Sequence, residues 1–205
     1  MVEEVILVTA KDVPRGLMEK MEAHRKAELH RAFSVMIFNK KGELLLQQRA
    51  LSKYHSPGKW TNACCSHPRK GETAIQAAHR RLNEENGFDT SLKEIFSFIY
   101  NAEFTNGLEE HEFDHVFVGQ YDGEIKLNRE EAESVKWVRV PDLIKDIALN
   151  PRNYTAWFKI LMDRPKMLEH FEKKNLLVAR KVARRKPVRE RVVAKKKIPR
   201  RKRLL

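Results

Sequence analysis

The sequence predicts a mixed α/β (α+β) domain in which several short strands form a sheet and helices pack against it. Three observations predict this. Short runs of Val, Ile, Leu and Phe recur at strand length between turn residues, from Val5 to Val140. One segment rich in alanine and charge, Thr73 to Asn86, has helical composition and ends at Gly87. Of 205 residues, 41% are hydrophobic, enough for one compact domain with an ordinary core and room for an appendage.

The elements follow in order. Val5 to Thr9 reads as a short strand, closed by Asp12-Val13-Pro14, and Met18 to Glu28 as helix or loop. Phe33 to Phe38 and Leu44 to Gln48 form a hairpin around the Lys40-Lys41-Gly42 turn. Ser56-Pro57-Gly58 opens an irregular loop that runs to Gly71. The helix from Thr73 to Asn86 has Thr73 as its N-cap. Ile95 to Ala102 is a strand, Asn106-Gly107 a turn, and Glu112 to Tyr121 an alternating strand that ends at Asp122-Gly123. Ser134 to Val140 completes the strands, and Pro141 to Leu149 and Tyr154 to His170 read as helices.

The net charge of +13 is unevenly distributed. From Lys173 to the end there are 16 Lys or Arg residues against one acid, Glu190, so this segment carries +15 and the rest of the chain −2. The expected organisation is a domain over residues 1–172 and a basic extension over 173–205, flexible or partly helical. The extension reads as a solvated tail; its functional alternatives are contact with nucleic acid, with an anionic membrane surface, or a nuclear-targeting signal. The body's chemistry must be read apart from the overall charge. No apolar run approaches the ~20 residues that span a bilayer. The opening MVEEVILVTA is acidic before a short apolar stretch, unlike a secretory leader. Cys64 and Cys65 are adjacent, poorly placed for a structural bridge, so a reducing compartment and a cytoplasmic location are expected.

Four segments hold residue types that a core does not require. Thr61 to Pro68 (TNACCSHP) places the thiol of Cys65 two residues from His67; the alternative is a packed cysteine and a solvated histidine. In Gly107 to Phe117 (GLEEHEFDHVF), strand alternation puts Glu110, Glu112 and Asp114 on one face and His111, Phe113 and His115 on the other. Carboxylates crowded on one face repel unless a cation lies among them, the alternative being a solvated acidic face. His24 and His30 can join them if the chain bends between the two. Three imidazoles with two carboxylates suit Zn²⁺, Mn²⁺ or Fe²⁺ better than Mg²⁺ or Ca²⁺.

The fourth segment runs from Ser66 to Phe88. It resembles the Nudix box: glycine, five residues, Glu, seven residues, then Arg-Glu-apolar-x-Glu-Glu-x-Gly-apolar. Glu72, Arg80, Leu82, Glu84, Glu85, Gly87 and Phe88 match it, while Ser66 replaces the first glycine and Arg81 the glutamate after the arginine. In Nudix hydrolases that glutamate helps hold Mg²⁺, and an arginine there repels a metal. The box therefore supports a Nudix-like mixed-sheet fold with flanking helices more than it supports hydrolysis.

With LHRAFSV (Leu29 to Val35), LLLQQRA (Leu44 to Ala50), SPGKWTNACCSHP (Ser56 to Pro68), AAHRRLNEENGFD (Ala77 to Asp89) and NGLEEHEFDHVF (Asn106 to Phe117), the chain resembles the type I isopentenyl-diphosphate isomerases, a branch of the Nudix superfamily. The motifs occur in family order across most of residues 1–172. The resemblance implies an enzyme that interconverts isopentenyl and dimethylallyl diphosphate in isoprenoid biosynthesis. It implies Cys65 and Glu112 as the catalytic pair, assisted by Tyr100, and Trp157 as an indole facing the reacting carbons. It implies His24, His30, His67, Glu110 and Glu112 as ligands of a Mn²⁺ or Zn²⁺ ion, with Glu85 helping to hold Mg²⁺ beside the diphosphate. It further implies that Lys20, Arg49, Lys53 and Arg81 face the diphosphate. The His24–His30 spacing is a residue shorter than in some members. Two other readings remain: a Nudix hydrolase of a nucleoside diphosphate derivative, which Arg81 opposes, and a nucleic-acid-binding protein on an inactive Nudix body.

The implied chemistry explains these residue types. Protonating an alkene creates a tertiary carbocation, so a proton donor and an acceptor must flank the substrate. The pocket must exclude nucleophiles, and an indole face attracts a desolvated cation by ~2 kcal/mol. Without the resemblance, Trp157 reads as helix core.

Overall fold

In the computed structural model, residues 3–53, 55–104 and 107–177 are described. The chain begins with an antiparallel pair, β1 (Glu4–Val8) and β2 (Pro14–Glu19), followed by a short helix α1 (Lys20–Lys26). Next come β3 (His30–Phe38), β4 (Glu43–Arg49), β5 (Trp60–Thr61) and β6 (Cys64–Ser66), then helix α2 (Ala74–Asn86). The long strands β7 (Leu92–Glu103) and β8 (Glu109–Gln120) precede β9 (Ala132–Arg139), α3 (Val140–Leu149), a 3₁₀ turn at Pro151–Asn153, α4 (Ala156–Met162) and α5 (Pro165–Lys173).

All nine strands join one mixed sheet. β3 and β8 run parallel with His30 beside Glu112, and β7 pairs antiparallel with β8, with Tyr100 beside Glu112. β6 lies antiparallel to β3, with Cys65 opposite Ser34, and β9 lies antiparallel to β4.

Strand alternation divides the core in two. Phe33, Val35 and Ile37 of β3 and Phe117 of β8 pack with Ala77, Ala78 and Leu82 of α2. Met36 and Phe38 of β3 and Val116 of β8 pack with Leu143, Phe158, Leu161, Met167 and Phe171 of the three C-terminal helices. Each fully buried Val, Leu, Ile, Phe or Met side chain among them contributes about 1.5–3 kcal/mol. The sheet is thus covered on both faces, and chemistry is confined to its open end.

The helix boundaries follow from sequence. α2 starts with a capping box: Thr73 Oγ accepts from Gln76 N at 3.3 Å, and Gln76 Oε1 accepts from Thr73 N at 2.9 Å. It stops at Gly87 (φ 69°), where a Cβ would lie 2.6 Å from the Lys126 carbonyl oxygen, so only glycine fits.

Three expectations are revised. Met18 to Glu28 is not one helix or loop: β2 extends to Glu19, whose carboxylate then caps α1 by accepting from Met21 N and Glu22 N, both at 2.7 Å. Tyr154 to His170 is two helices, because Pro165 has no N–H to continue α4 and instead begins α5. The irregular loop after Pro57 contains two short strands, β5 and β6. Leu176 and Leu177 still pack against the core beyond α5. Of the expected basic extension over 173–205, residues 173–177 are described, with Lys173 ending α5, and every expectation for residues 178–205 lies outside the described residues.

Candidate active site

Register gathers the site onto one sheet face. Side chains of laterally paired residues point to the same side, and alternate residues along a strand share a face. Glu110, Glu112 and Asp114 of β8 therefore share a face with His30 and Ser34 of β3, Tyr100 of β7 and Cys65 of β6. Of these, Glu110, Glu112, Ser34, Tyr100 and Cys65 line a cavity of about 620 Å³, together with Lys20, His24, Arg49, Lys53, His67, Arg81, Glu85 and Trp157, while His30 and Asp114 are buried behind its wall.

The histidine group forms because α1 turns back on itself. Ala27 adopts a left-handed conformation (φ 52°), which returns the chain to start β3 at His30. His24 and His30 thereby approach each other, with ring centres 4.9 Å apart, and His67 lies 5.7 and 5.0 Å from them. Ligand atoms of His24, His30, His67 and Glu112 all lie within 4.8 Å of one another. The shorter His24–His30 spacing is therefore no obstacle.

The donor set fits a divalent cation. His24 Nδ1–H donates to the Lys20 carbonyl at 2.6 Å, and His30 Nδ1–H to the Glu28 carbonyl at 2.7 Å. A carbonyl only accepts, so Nδ1 carries a hydrogen and Nε2 is the ring nitrogen left for other contacts. His30 Nε2 is buried without a hydrogen-bond partner among the described residues, 3.5 Å from a Glu112 carboxylate oxygen. This nitrogen and the carboxylate oxygen need a positive charge between them, a proton or a metal ion. Burial holds His24 neutral, its pKa lowered to about 4, with His67 and His30 adding to the shift; burial also lowers His67. Imidazoles grouped with a carboxylate are donor types that suit a divalent metal ion.

Glu110 stands beside this group. Tyr100 Oη lies 2.6 Å from Glu112 Oε2 and 3.0 Å from Glu110 Oε2. One phenolic hydrogen serves only one of these contacts, so the other requires a proton on a carboxylate. Burial and the neighbouring Glu112 charge push Glu110 well above the usual carboxylate range. Burial would also raise Glu112, but the imidazoles of His30 and His67 outweigh it and hold Glu112 well below that range.

Cys65 and Cys64 point to opposite faces. Cys64 is fully buried against α2, its thiol 3.3 Å from Glu85. Cys65 faces the cavity, and its S–H donates to Asn62 Oδ1 at 2.9 Å. Asn62 cannot flip, because its Nδ2 donates to the carbonyls of Cys64 at 2.9 Å and Val35 at 3.2 Å. Ser34 Oγ, 3.4 Å from the sulfur, donates to Asp114 at 2.8 Å. Burial, with the Asp114 charge, pushes the Cys65 thiol far up.

The far end of the cavity is basic. Arg49 Cζ stacks 5.2 Å from the Trp157 ring centre, and its buried Nε has no hydrogen-bond partner among the described residues. Lys20 pairs with Glu3 at 2.9 Å and Lys53 with Glu131. Arg81 reaches Glu84 and Glu85, both at 2.8 Å, and Glu131 at 3.1 Å. Glu85, buried on α2, also accepts from Gln47 at 3.0 Å.

The residues expected from sequence line this cavity except His30, which is buried beside His24, His67 and Glu112. Sequence reasoning missed His55, Ser34, Asn62 and Glu131. His55 is buried edge-on to Trp157, ring centres 5.5 Å apart, and beside Phe104 at 5.0 Å. Burial, then the Arg49 charge, lowers its pKa to about 3. No local pattern marks it, since it is a lone histidine in a loop; strand alternation could have marked Ser34 once β3 and β6 were paired.

Residues 28–158 match the NUDIX domain family. The chain is 48% identical over 164 residues to "Isopentenyl-diphosphate Delta-isomerase 2" of Aromatoleum aromaticum, covering 80% of this chain and 87% of that protein. It is 50% identical over 161 residues to "Isopentenyl-diphosphate Delta-isomerase 2" of Photorhabdus laumondii, covering 78% and 91%. In fold it is similar to a crystal structure of a Deinococcus radiodurans protein (TM-score 0.65, 22% identity, covering 77% and 96%). It is likewise similar to a MutT protein of Methanosarcina mazei (TM-score 0.54, 23% identity, covering 72% and 95%).

Proposed function

The chain belongs to the isopentenyl-diphosphate Delta-isomerase family of NUDIX-domain proteins, and from that membership we propose how its residues interconvert isopentenyl and dimethylallyl diphosphate. The observation that carries the reading is the convergence of a thiol, Cys65, and a tyrosine-linked carboxylate, Glu112, in one cavity with an indole and the basic side chains of Lys20, Arg49, Lys53 and Arg81 among others.

The reaction is a 1,3 proton shift. One member of the pair gives a proton to one end of the allylic system, and the resulting tertiary cation then loses a proton from the other end to the second member. Atoms balance, because one proton enters and one leaves. The reverse direction uses the same two groups in opposite protonation states. Tyr100, bonded to Glu112, orients the carboxylate and gives it a route to a second proton on Glu110.

Trp157 faces the hydrocarbon and stabilises the cation without capturing it. Phe104 and His55 lie beyond the indole and, as buried rings, help exclude water from it. Lys20, Arg49, Lys53 and Arg81 hold the diphosphate, so that binding energy from this remote group positions a small hydrocarbon.

His24, His30, His67 and Glu112 would hold a Mn²⁺ or Zn²⁺ ion, with Glu110 beside them, and Glu85 would help hold Mg²⁺ near the diphosphate. Such cations supply positive charge that keeps Glu112 ordered and neutralises the phosphate oxygens. Hydrolysis is disfavoured by Arg81, which brings a cation where the hydrolytic box has a metal-binding acid and is already neutralised by Glu84, Glu85 and Glu131. Both cysteines are free thiols, consistent with a cytoplasmic enzyme, and no described helix is long and apolar enough to cross a membrane.

Paired variants test these roles. Cys65→Ala and Glu112→Gln are each expected to reduce turnover at least about 10³-fold with circular dichroism unchanged, larger than the loss from a general acid–base group that can be bypassed. Near-normal turnover in either folded variant removes that residue from the pair.

A further inference from the structure

We propose that Glu131 is an internal counter-ion that stands in for the diphosphate in the free protein and that the bound diphosphate displaces. The proposal rests on the isomerase reading only in taking the ligand to be a diphosphate.

Glu131 lies in the loop before β9, far in sequence from the other site residues. Its backbone is fixed: its N–H donates to the Asn128 carbonyl at 3.0 Å, and its carbonyl accepts from Ala50 N at 3.0 Å. The side chain reaches into the cavity and contacts two cations. One oxygen takes the ammonium of Lys53, and the other lies 3.1 Å from Arg81 Nη2. All three side chains are about one-fifth exposed (Lys53 22%, Glu131 20%, Arg81 19%), so these pairs face the cavity and are only partly screened. Hydrogen bonds from Lys53, with the Arg81 charge, outweigh burial and lower the Glu131 pKa, so the group is an anion.

An anionic ligand that needs Lys53 and Arg81 must compete with whatever holds them. Arg81 Nη1 goes to Glu84, and Nη2 divides between Glu85 and Glu131. Glu85 is not replaceable: it is buried on α2 and also bound by Gln47 and Cys64. Glu131 has no such anchors, and its two described side-chain partners are the two cations themselves. Arg49 has no carboxylate within ion-pair distance among the described residues, although its Nη2 donates to the His55 carbonyl at 3.3 Å and its Nε is buried. The cavity thus offers two cations, Lys53 and Arg81, under a carboxylate that exchanges for phosphate. Two consequences follow. The free pocket avoids the mutual repulsion of neighbouring cations, and the returning carboxylate weakens the hold on product.

The test is calorimetric titration of inorganic pyrophosphate into the metal-loaded full-length protein, at fixed ionic strength with Mg²⁺ present. Glu131→Gln keeps the shape and removes the charge. It is expected to bind pyrophosphate about tenfold more tightly than wild type, a change of about 1.4 kcal/mol. Glu131→Asp, too short to hold both cations, is expected to bind more tightly by a smaller factor and serves if the glutamine variant does not fold. A purely structural role for Glu131 does not tighten binding. Unchanged or weaker binding in a folded variant overturns the proposal and makes Glu131 a holder of Lys53 and Arg81. Lys53→Ala separates the two levels: it should weaken pyrophosphate binding. If it does so while Glu131→Gln gains nothing, the counter-ion idea fails and the diphosphate pocket stands. If Lys53→Ala changes nothing, both fail.

Discussion

Tyr100 lies directly across from Glu112 in the β7–β8 pair, and its hydroxyl stands 2.6 Å from the Glu112 carboxylate. The contact follows from sheet register rather than from a loop, so it is held by the backbone hydrogen bonds of two long strands. Removing the hydroxyl leaves the fold's ladder intact. Tyr100→Phe is expected to lower kcat about 10- to 10³-fold with KM nearly unchanged, since the phenol touches Glu112, the carboxylate proposed to move the proton, and none of the cations proposed to hold the diphosphate. Steady-state kinetics check this; a KM effect alone would contradict it.

The two adjacent cysteines should behave oppositely. Cys64 packs under α2 and bonds Glu85, whereas Cys65 faces the cavity. Cys64→Ala should retain most activity and cost about 1–2 kcal/mol of stability through the lost buried contact. Equal loss of turnover in Cys64→Ala and Cys65→Ala would contradict the division of the two thiols between the sheet faces.

Metal should be lost with the histidines. His30→Ala removes a fully buried imidazole whose Nε2 faces Glu112. The purified variant is expected to carry at least tenfold less Zn²⁺ or Mn²⁺ by elemental analysis, while Mg²⁺-dependent pyrophosphate binding persists. Undiminished metal content would remove His30 from the ligand set.

Acid should destabilise the metal-stripped protein in a defined window. His24 and His55 are neutral in the fold chiefly through burial, their pKa values lowered from 6.5 to about 4 and about 3. Below pH 6.5 the unfolded chain takes up protons that these folded sites refuse. The contribution of these two sites is therefore full above pH 6.5 and is lost as pH drops toward 4, by about 1.4 kcal/mol per pH unit for each site, against the opposite trend from Glu110 and Asp114, whose pKa values are raised in the fold. Urea unfolding at pH 7, 6 and 5 of the protein and of His55→Gln isolates it; the same pH profile in both would contradict neutral burial.

Much of this architecture was legible in sequence because local signals agreed with the fold. Thr73, Gln76 and Gly87 announce both ends of α2, and alternation in GLEEHEFDHVF separates Glu110, Glu112 and Asp114 from His111 and His115. The family motifs then led to Cys65, Glu112, Tyr100, Trp157 and the basic side chains that line the cavity. Other features depended on tertiary context. Pro14–Glu19 lacks strand alternation and becomes β2 only by pairing with β1. The break between α4 and α5 lay in Pro165, which was read through as helix. His55 and Glu131 belong to loops whose positions are fixed by neighbours distant in sequence, so no spacing could bring them to the site.

The central claim is tested most directly by proton and deuterium NMR of isopentenyl diphosphate incubated with the metal-loaded protein in deuterated water. The account predicts dimethylallyl diphosphate that carries deuterium, with its diphosphate intact, and no such product from the Cys65→Ala and Glu112→Gln variants. Release of phosphate, or recovery of unlabelled isopentenyl diphosphate from folded, metal-loaded protein, would contradict it.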